Sequence, residues 1–342
     1  MLRSLICNAS KKYNYDLIVL NSNIEPDNQR AIISQFENET NFSIRFVNVF
    51  NLLSERSLFV HRHFTIEIYY RLLMQDIMKA YDKVLYLDSD LIILDDISKL
   101  YNVDIGNAYV GAIVDVDFAG CYNGGDPERK KYFSKNLKMD SPFHYFNSGV
   151  LLMNLVQFRE NFTSKQILDI AESKEWLFPD QDVLNILCEN HVYYLDMAWN
   201  VMMNWKDSTS CRIEVAKKAP HYMYQNYMKS RENVKIAHFA GFQKPWNVPD
   251  CDFANQFWKY ARNTAVYETL LYKCSTNNVL ALQPTTVHKM NDDAYQLRIP
   301  GMTETLYIDG FYVKLLNKLN NWFPKESKRR AFMKNVMKLL FH

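Results

Sequence analysis

The stretch "DKVLYLDSDLIIL", residues 82–94, places two aspartates between two runs of apolar residues. The first run has the length and composition of a buried β-strand, and the second returns directly to core-like sequence. In an open parallel sheet, ligands bind beyond the carboxyl ends of the strands. Asp88 and Asp90 lie at such an end with one small residue between them. We therefore predict that both carboxylates face a binding cleft.

The first 155 residues alternate between strand-like and helix-like patterns. Strands are predicted at residues 15–21, 44–49, 83–88, 109–115 and 145–155, with helices at 26–38 and 64–80. This alternation predicts βαβ units and a mostly parallel sheet that is covered on both faces. Farther along the chain, helices are predicted at 155–172, 180–190 and 253–270, with one short strand in "VKIAHF".

The composition of the chain bounds its class. The 342 residues are 48% hydrophobic and 23% charged, which indicates a globular protein and excludes disorder of the whole chain. The six cysteines form no CxxC pair, so we expect reduced thiols. The N-terminus does not resemble a signal peptide, and no run reaches the roughly 18 apolar residues that span a bilayer. We expect a cytoplasmic protein.

The last 32 residues differ from the rest of the chain in charge. Residues 311–342 contain eight Lys or Arg residues and one Glu, and their apolar residues share helical faces. Basic amphipathic helices of this kind bind anionic membrane surfaces. A helix docked on the domain with a solvated basic side is an equal alternative. Nucleic acid is not an expected partner, because the chain has no recognisable nucleic-acid-binding module.

A second motif strengthens the case for a metal site. Carboxylates at positions i and i+2 can both reach a hard divalent cation, but a lone DxD also occurs often in surface turns. The loop "HFAGFQKPW", residues 238–246, also follows a strand. There His238 offers an imidazole ligand, Gly241 allows close backbone approach, and Lys244 offers a charge suited to phosphate. Taken alone, a histidine such as His238 is more often a buried, hydrogen-bonded core residue than a metal ligand.

Five segments in this order and spacing resemble those of glycosyltransferase family 8: "TIEIYYRLLMQDIMKAYDKVLYLDSDLII", "VGAIVDVD", "YFNSGVLLMNL", "FPDQDVLN" and "HFAGFQKPW". The resemblance covers roughly residues 1–260 and implies an α/β fold of the GT-A type, the Rossmann-like fold of nucleotide-diphospho-sugar transferases. It further implies a retaining hexosyltransferase. The implied donor is UDP-glucose or UDP-galactose, and the implied acceptor is a glycan such as lipopolysaccharide core, reached from the inner face of the cell membrane.

The resemblance also implies roles for individual residues. Asp88, Asp90 and His238 would bind Mn²⁺ or Mg²⁺, and Gly241 and Lys244 would hold the diphosphate as it becomes a leaving group. Lys244 is therefore also a candidate catalytic residue. A positively charged group and a metal suffice to stabilise such a leaving group electrostatically, so no strong nucleophile is required.

The remaining implied roles concern the donor sugar. Arg71 would contact the sugar and the diphosphate, and three residues would hold sugar hydroxyls: Asp115, Asn147 and Asp180. Gln181 would lie close to the anomeric carbon, which makes Gln181 and Asp180 candidate catalytic residues. We favour front-face displacement over a covalent intermediate. Asp182 fits a carboxylate at a helix N-terminus equally well.

The chain departs from the family pattern at its start. Family members begin with a strand and an acidic loop that contact the nucleotide, whereas "MLRSLICNAS" resembles the helix that follows them. We therefore expect the N-terminal strand to be missing. The expected organisation is a truncated transferase domain at 1–270, an extension without predicted structure at 271–310, and the basic tail at 311–342.

Two alternatives to an active transferase stay open. A degenerate, non-catalytic transferase fold is consistent with the missing strand and the basic tail. A phosphatase of the haloacid dehalogenase type also uses a DxD at a strand end, with an aspartate as nucleophile. That motif normally follows the first strand, whereas Asp88 lies far along the chain.

Overall fold

The computed structural model describes residues 1–53, 56–60, 65–207 and 209–282, with side chains through residue 274. It also describes the backbones of residues 286–291, 294–298 and 306–309. One compact unit spans Met1–Glu268, and a second begins at Thr269. The tail predicted over residues 311–342 lies outside the described residues, so its amphipathic helices stay a prediction.

The strands of the described residues are short, and most are buried or half-buried. They are β1 (Tyr15–Asn21), β2 (Phe42–Asn48), β3 (Lys83–Leu87), β4 (Leu91–Ile93), β5 (Val110–Val114), β6 (Phe146–Asn154), β7 (Val192–Tyr194), β8 (Val201–Met202), β9 (Ile236–His238), β10 (Thr286–Asn291), β11 (Ala294–Arg298) and β12 (Leu306–Asp309).

The α-helices of the described residues are α1 (Leu2–Asn8), α2 (Pro26–Ile33), α3 (Met74–Ile77), α4 (Ser98–Tyr101), α5 (Val116–Asn123), α6 (Pro127–Tyr132), α7 (Leu155–Asn161), α8 (Ser164–Glu172), α9 (Pro179–Leu187), α10 (Arg212–Ala216), α11 (His221–Glu232), α12 (Ala254–Ala261) and α13 (Tyr267–Leu282). Short 3₁₀ turns lie at Ser34–Phe36, Phe50–Leu52, Ile66–Leu73, Pro142–His144 and Met197–Asn200, and a π-turn at Phe133–Leu137. Among the described helices, none is both long enough and apolar enough to cross a bilayer.

The sheets are mixed rather than mostly parallel, which corrects the prediction from sequence. In the first unit β1 pairs with β2, four strands lie in the order β3-β6-β5-β7, and three lie in the order β4-β9-β8. Parallel pairs are β1/β2, β5/β7 and β8/β9, whereas β3/β6, β5/β6 and β4/β9 are antiparallel. A run of buried apolar residues predicts a covered strand but does not encode its direction.

Strand β6 is the centre of the fold. Eight of its nine residues are buried, because both faces of the sheet are covered. Leu151 and Met153 point into one core, which includes side chains of α7, α8 and α9, whereas Val150 points into a second core with side chains of α5 and α11. This alternation follows from the two-residue period of a strand.

The two aspartates of the opening stretch lie where the chain changes sheets. Strand β3 belongs to the four-stranded sheet and β4 to the three-stranded sheet, and only residues 88–90 separate them. The charged residues therefore interrupt the apolar run at the seam between two sheets. This position explains why carboxylates are tolerated between two runs of core sequence.

Helix boundaries differ locally from the predictions. The segment predicted as one helix at 155–172 is two, because Thr163 caps α8 through a capping box with Gln166. The segment predicted at 64–80 is mainly the 3₁₀ turn Ile66–Leu73, followed by one turn of α3. Strands β10, β11 and β12 form an antiparallel sheet where the sequence showed no clear period.

Candidate metal and donor site

Three potential metal ligands converge at the seam between the two sheets. Asp88 follows β3, Asp90 precedes β4, and His238 is the last residue of β9. Nε2 of His238 lies 3.8 Å from Oδ2 of Asp88 and 3.4 Å from Oδ1 of Asp90. One ligand atom from each residue lies within 4.8 Å of the others. Two carboxylates and an imidazole at this spacing fit a divalent cation.

Backbone hydrogen bonds hold the two aspartates in place. The Asp88 N–H donates to the carbonyl of Gly149 at 2.9 Å, which extends the β3/β6 ladder by one residue. The Phe239 N–H donates to the carbonyl of Asp90 at 3.1 Å, which extends the β4/β9 ladder. Leu91 pairs directly with His238 across that ladder. The ligands are thus fixed by sheet hydrogen bonds rather than by a mobile loop.

Gly149 makes room for the cluster. A Cβ atom at this position would lie 2.3 Å from Cε1 of His238 and 2.8 Å from Oδ2 of Asp88. Both distances are below any normal contact, so only glycine allows β6 to pass this close to the ligands. The close packing is an independent structural sign that the arrangement of the three residues is specific.

His238 is oriented by a buried asparagine. The imidazole exposes 2% of its surface, and its Nδ1 lies 2.8 Å from Oδ1 of Asn200. The other ring nitrogen, Nε2, faces Asp88 and Asp90. His238 is thus both a hydrogen-bonded core histidine and a suitable metal ligand, and the two interpretations offered by the sequence are compatible.

Lys244 and Gly241 flank the cluster on the loop after β9. Nζ of Lys244 donates to Oδ2 of Asp90 and, at 2.5 Å, to the carbonyl of Phe239. Burial alone would raise the pKa of Asp90, but His238 and Lys244 beside it hold that pKa well below its usual range. Gly241 has φ +111, and open space lies where its Cβ would be.

Arg71 connects the two ends of the site. Its guanidinium is buried and donates to Oδ1 of Asp88 at 2.7 Å, while its Nε lies 3.1 Å from Oδ2 of Asp180. It also donates to Ser148 and lies over the ring of Tyr86 at 4.5 Å. Burial opposes the charge, but Asp180 and Asp88 outweigh it and raise the pKa of Arg71. Arg71 is therefore not the surface residue that its charge alone suggests.

The residues implied to hold the donor sugar form one buried cluster. Gln181 donates from Nε2 to Asp115 at 3.1 Å and accepts at Oε1 from Asn147, also at 3.1 Å. Oγ of Ser148 donates to Asp180 at 2.7 Å. The four predicted residues each expose 9% or less of their surface. Burial raises the pKa of both Asp115 and Asp180.

Asp182 has a structural environment. It lies in the first turn of α9 and accepts hydrogen bonds from the hydroxyls of Tyr132 and Tyr145, both at 2.6 Å, and from the Phe178 N–H at 2.8 Å. It is fully buried, and burial raises its pKa to about 6. These contacts favour the helix-terminus interpretation of this aspartate.

Sequence reasoning missed several residues that shape the site. Gly149 and Ser148 lie inside the quoted segment "YFNSGVLLMNL" but carried no assigned role, and Asn200 lies in a stretch without any motif. Tyr86 donates to Asp88 at 3.0 Å from two residues earlier on the same strand. Only Tyr86 had a usable signal, because residues i and i+2 share one face of a strand.

Comparison with known proteins agrees with this geometry. The family model described as "Glycosyl transferase family 8" matches residues 1–249, which include all the candidate site residues. The chain belongs to glycosyl transferase family 8. The predicted family and its assignment to the transferases are confirmed, and the phosphatase alternative is excluded.

Two curated relatives illustrate the similarity of this chain to known proteins. General stress protein A of Bacillus subtilis is 29% identical over 253 residues, which cover 72% of this chain and 82% of that protein. A lipopolysaccharide 1,2-glucosyltransferase of Escherichia coli K12 is 29% identical over 169 residues, which cover 48% of this chain. The match covers 44% of that enzyme, so the chain spans less than half of it.

Solved structures confirm the predicted GT-A fold. The galactosyltransferase LgtC, in complex with donor and acceptor sugar analogs, matches 80% of this chain and 93% of its own, with 25% identity and a TM-score of 0.62. The bifunctional WbbM glycosyltransferase matches 80% of this chain but 48% of its own, with 27% identity and a TM-score of 0.72.

Proposed function

We propose that this family 8 transferase is a metal-dependent, retaining hexosyltransferase that moves glucose or galactose from a UDP-sugar to a glycan. The observation that carries the proposal is the convergence of Asp88, Asp90 and His238 at the seam of two sheets. Lys244 lies on one side of this cluster, and Arg71 with Asp180 lies on the other. A nucleotide sugar needs both halves, because its diphosphate and the hexose bonded to it each require their own contacts.

The charge balance around the cluster suits a diphosphate. A divalent cation held by Asp88, Asp90 and His238 would supply positive charge to the departing diphosphate. Lys244, now paired with Asp90, would turn to the phosphate oxygens, for which a flexible ammonium is well suited. The open space beside Gly241 lets its backbone lie against the same phosphates.

The donor sugar is proposed to lie between Arg71 and the buried amides. Arg71 pairs with both Asp88 and Asp180, and its charge offsets part of the cost of placing two carboxylates at this site. Gln181 is held by Asp115 and Asn147 and cannot rotate without breaking two hydrogen bonds. A rigid, uncharged amide is not a nucleophile. This favours front-face displacement over a covalent intermediate.

The named relatives support the substrate class but not a single substrate. LgtC is a galactosyltransferase, whereas the Escherichia coli relative is a lipopolysaccharide 1,2-glucosyltransferase. Both hexoses therefore remain candidates for the donor, and a lipopolysaccharide core is the proposed acceptor. The non-catalytic alternative predicts no turnover with either hexose.

The test is metal-dependent release of UDP. Purified protein is incubated with UDP-glucose or UDP-galactose, with and without Mn²⁺, and UDP is quantified. We expect Asp88→Asn and Asp90→Asn to lower the rate by more than about 100-fold, since outer-shell partners alone account for about 10- to 100-fold. The control is Asp82→Asn, an exposed aspartate before the same strand. Equal rates for all three variants would refute the metal assignment.

The membrane partner is a proposal from sequence alone. The basic residues of 311–342 would hold the enzyme at an anionic inner leaflet, where a lipid-linked acceptor is exposed. We expect deletion after residue 310 to weaken binding to vesicles of anionic lipid but not to change the hydrolysis of the donor. Unchanged vesicle binding would contradict a role of the tail in membrane attachment.

A further inference from the structure

A chain of buried side-chain hydrogen bonds connects His238 with the donor-sugar cluster. From His238, Nδ1 bonds to Oδ1 of Asn200 at 2.8 Å, and Nδ2 of Asn200 donates to Oδ1 of Asn147 at 2.8 Å. Nδ2 of Asn147 donates to Oε1 of Gln181, whose Nε2 donates to Asp115. This series of hydrogen bonds contains three side-chain amides, and among them Asn200 alone has no role in the proposed function.

Backbone groups fix the direction of the chain. The Ser148 N–H donates to Oε1 of Gln181 at 3.0 Å, and the Gly149 N–H donates to Oδ1 of Asn147 at 3.0 Å. A backbone N–H can only donate, so the amide atoms that face these groups must be oxygens. The assignment of oxygen and nitrogen in both side chains therefore follows from the backbone and not from the side chains themselves.

The same donor and acceptor assignment extends through Asn200 to the imidazole of His238. Because Oδ1 of Asn147 is an acceptor, the atom of Asn200 that faces it must be the NH₂ group. The other atom of the Asn200 amide is then an oxygen, and it faces Nδ1 of His238. Nδ1 must therefore carry a proton, so in the neutral imidazole Nε2 is the nitrogen with a lone pair toward Asp88 and Asp90.

We infer that Asn200 is a positioning residue that fixes the tautomer and orientation of His238, so that Nε2 faces the metal site. The inference rests on the proposed metal site and goes beyond it by naming a residue that contacts neither metal nor substrate. Asn200 exposes 4% of its surface and lies on the 3₁₀ turn Met197–Asn200, directly before β8. Burial of its amide strengthens these hydrogen bonds, which favours one tautomer of His238.

Two substitutions of Asn200 separate its two hydrogen bonds. Asn200→Ala removes the acceptor for Nδ1, and we expect Mn²⁺ affinity, measured with the metal alone by electron paramagnetic resonance, to fall about 10- to 100-fold. Asn200→Asp keeps an acceptor for Nδ1 but cannot donate to Asn147. We expect the Mn²⁺ affinity of the aspartate variant to stay within a few-fold of wild type. We expect its kcat to fall, because Asn147 loses a hydrogen-bond donor and no longer holds Gln181 in place.

The matched control is Asn21→Ala. Asn21 is also a buried asparagine, and its amide is hydrogen-bonded to the carbonyl of Val47 and to the N–H of Ile24. It takes no part in the series of hydrogen bonds that leads from His238 to Asp115. We expect it to lose comparable stability but to keep wild-type Mn²⁺ affinity. Equal Mn²⁺ affinity in Asn200→Ala and wild type would overturn the inference, as would an equal loss in Asn21→Ala.

The wild-type protein provides a test that does not depend on a variant. Long-range ¹H–¹⁵N spectra of the His238 ring in the Mg²⁺-loaded protein should show the proton on Nδ1, and a proton on Nε2 would overturn the inference. The proposed function is tested separately. If wild type binds no Mn²⁺, the metal site itself is wrong and the inference falls with it. If only the Asn200 result fails, the metal site stands.

Discussion

Gly149 and His238 pack so closely that a single methyl group does not fit between them, with only 2.3 Å from a Cβ on Gly149 to Cε1 of the imidazole. Neither backbone strain nor a turn explains this glycine, because its φ is not in the left-handed region. The space that it leaves is taken by two potential metal ligands. Its role is therefore one of close approach.

Gly149→Ala is expected to weaken Mn²⁺ binding by about tenfold or more. The methyl group must displace either the imidazole or the carboxylate of Asp88, and overpacking of this kind costs about 1–3 kcal/mol. The control is Gly111→Ala on the neighbouring strand β5, where a Cβ would lie 3.1 Å from Cγ2 of Ile105. Mn²⁺ titration of both variants should show a loss in the first alone.

Arg71 is expected to stabilise the fold as well as the site. Arg71→Met leaves Asp88 and Asp180 without their shared cation, and breaking a buried ion pair costs about 3–5 kcal/mol. Arg45→Met, which breaks an exposed pair with Asp16, should cost less than about 1 kcal/mol. Urea unfolding of the two variants gives the comparison, and similar losses would show that the Arg71 pairs contribute no more than surface pairs.

Lys244→Met is expected to separate metal binding from nucleotide binding. In the free protein Lys244 occupies Oδ2 of Asp90, so removing the ammonium should leave Mn²⁺ affinity unchanged or raised. UDP affinity in the presence of Mn²⁺ should fall about tenfold, the cost of one charge-assisted hydrogen bond. Calorimetric titrations with Mn²⁺ alone and then with UDP measure both. A parallel loss of both affinities would contradict the assignment of Lys244 to the diphosphate.

The buried carboxyl of Asp182 is expected to make stability depend on pH. Its pKa is about 6 in the folded protein against an ordinary value of 3.8. A carboxyl whose pKa is raised on folding stabilises the folded protein at pH values below the pKa of the unfolded chain. This stabilisation is lost as the pH rises toward 6. The difference corresponds to about 3 kcal/mol. Relative to Asp182→Asn, the free energy of unfolding of wild type should therefore fall between pH 4 and pH 6.

The exposed Asp207 is expected to change stability with pH in the opposite direction. Hydrogen bonds from the Thr209 and Ser210 backbones lower the pKa of Asp207, so its stabilisation is present at neutral pH and lost in acid. Relative to Asp207→Asn, wild type should lose stability as pH falls. Urea unfolding between pH 4 and pH 6 measures the first effect, and unfolding below the ordinary aspartate pKa of 3.8 measures the second. A wild-type curve parallel to that of Asp182→Asn between pH 4 and pH 6 would show that Asp182 does not titrate in this range.

The part of the site that the sequence predicted is local in character. Asp88, Asp90 and His238 each follow or precede an apolar strand, and the carboxyl end of a strand is where ligands are expected. Asn200 had no such signal, because its role depends on Asn147 and His238, which are far from it along the chain. The sequence also gave no indication of the role of Gly149, because a glycine does not show which neighbouring residue occupies the space beside it.

The fold followed the same division. Buried runs such as that of β6 predicted covered strands, and a helix was predicted at 180–190, where α9 lies. Strand direction was not readable, because the hydrophobic pattern of a covered strand is the same in both directions. Strand β6 is antiparallel to both β3 and β5, a direction that its hydrophobic pattern does not encode.

The seam between the two sheets gives distant core residues an influence on the site. Asp88 lies at the edge of one sheet and Asp90 at the edge of another. The distance between their carboxylates therefore depends on how the two sheets pack against each other. Ile92 and Ala237 pair across β4 and β9 in a separate hydrophobic core. In a survey of natural variants, conservative changes there would be classed as mild packing defects, yet their first symptom should be a loss of enzyme function in a protein that still folds.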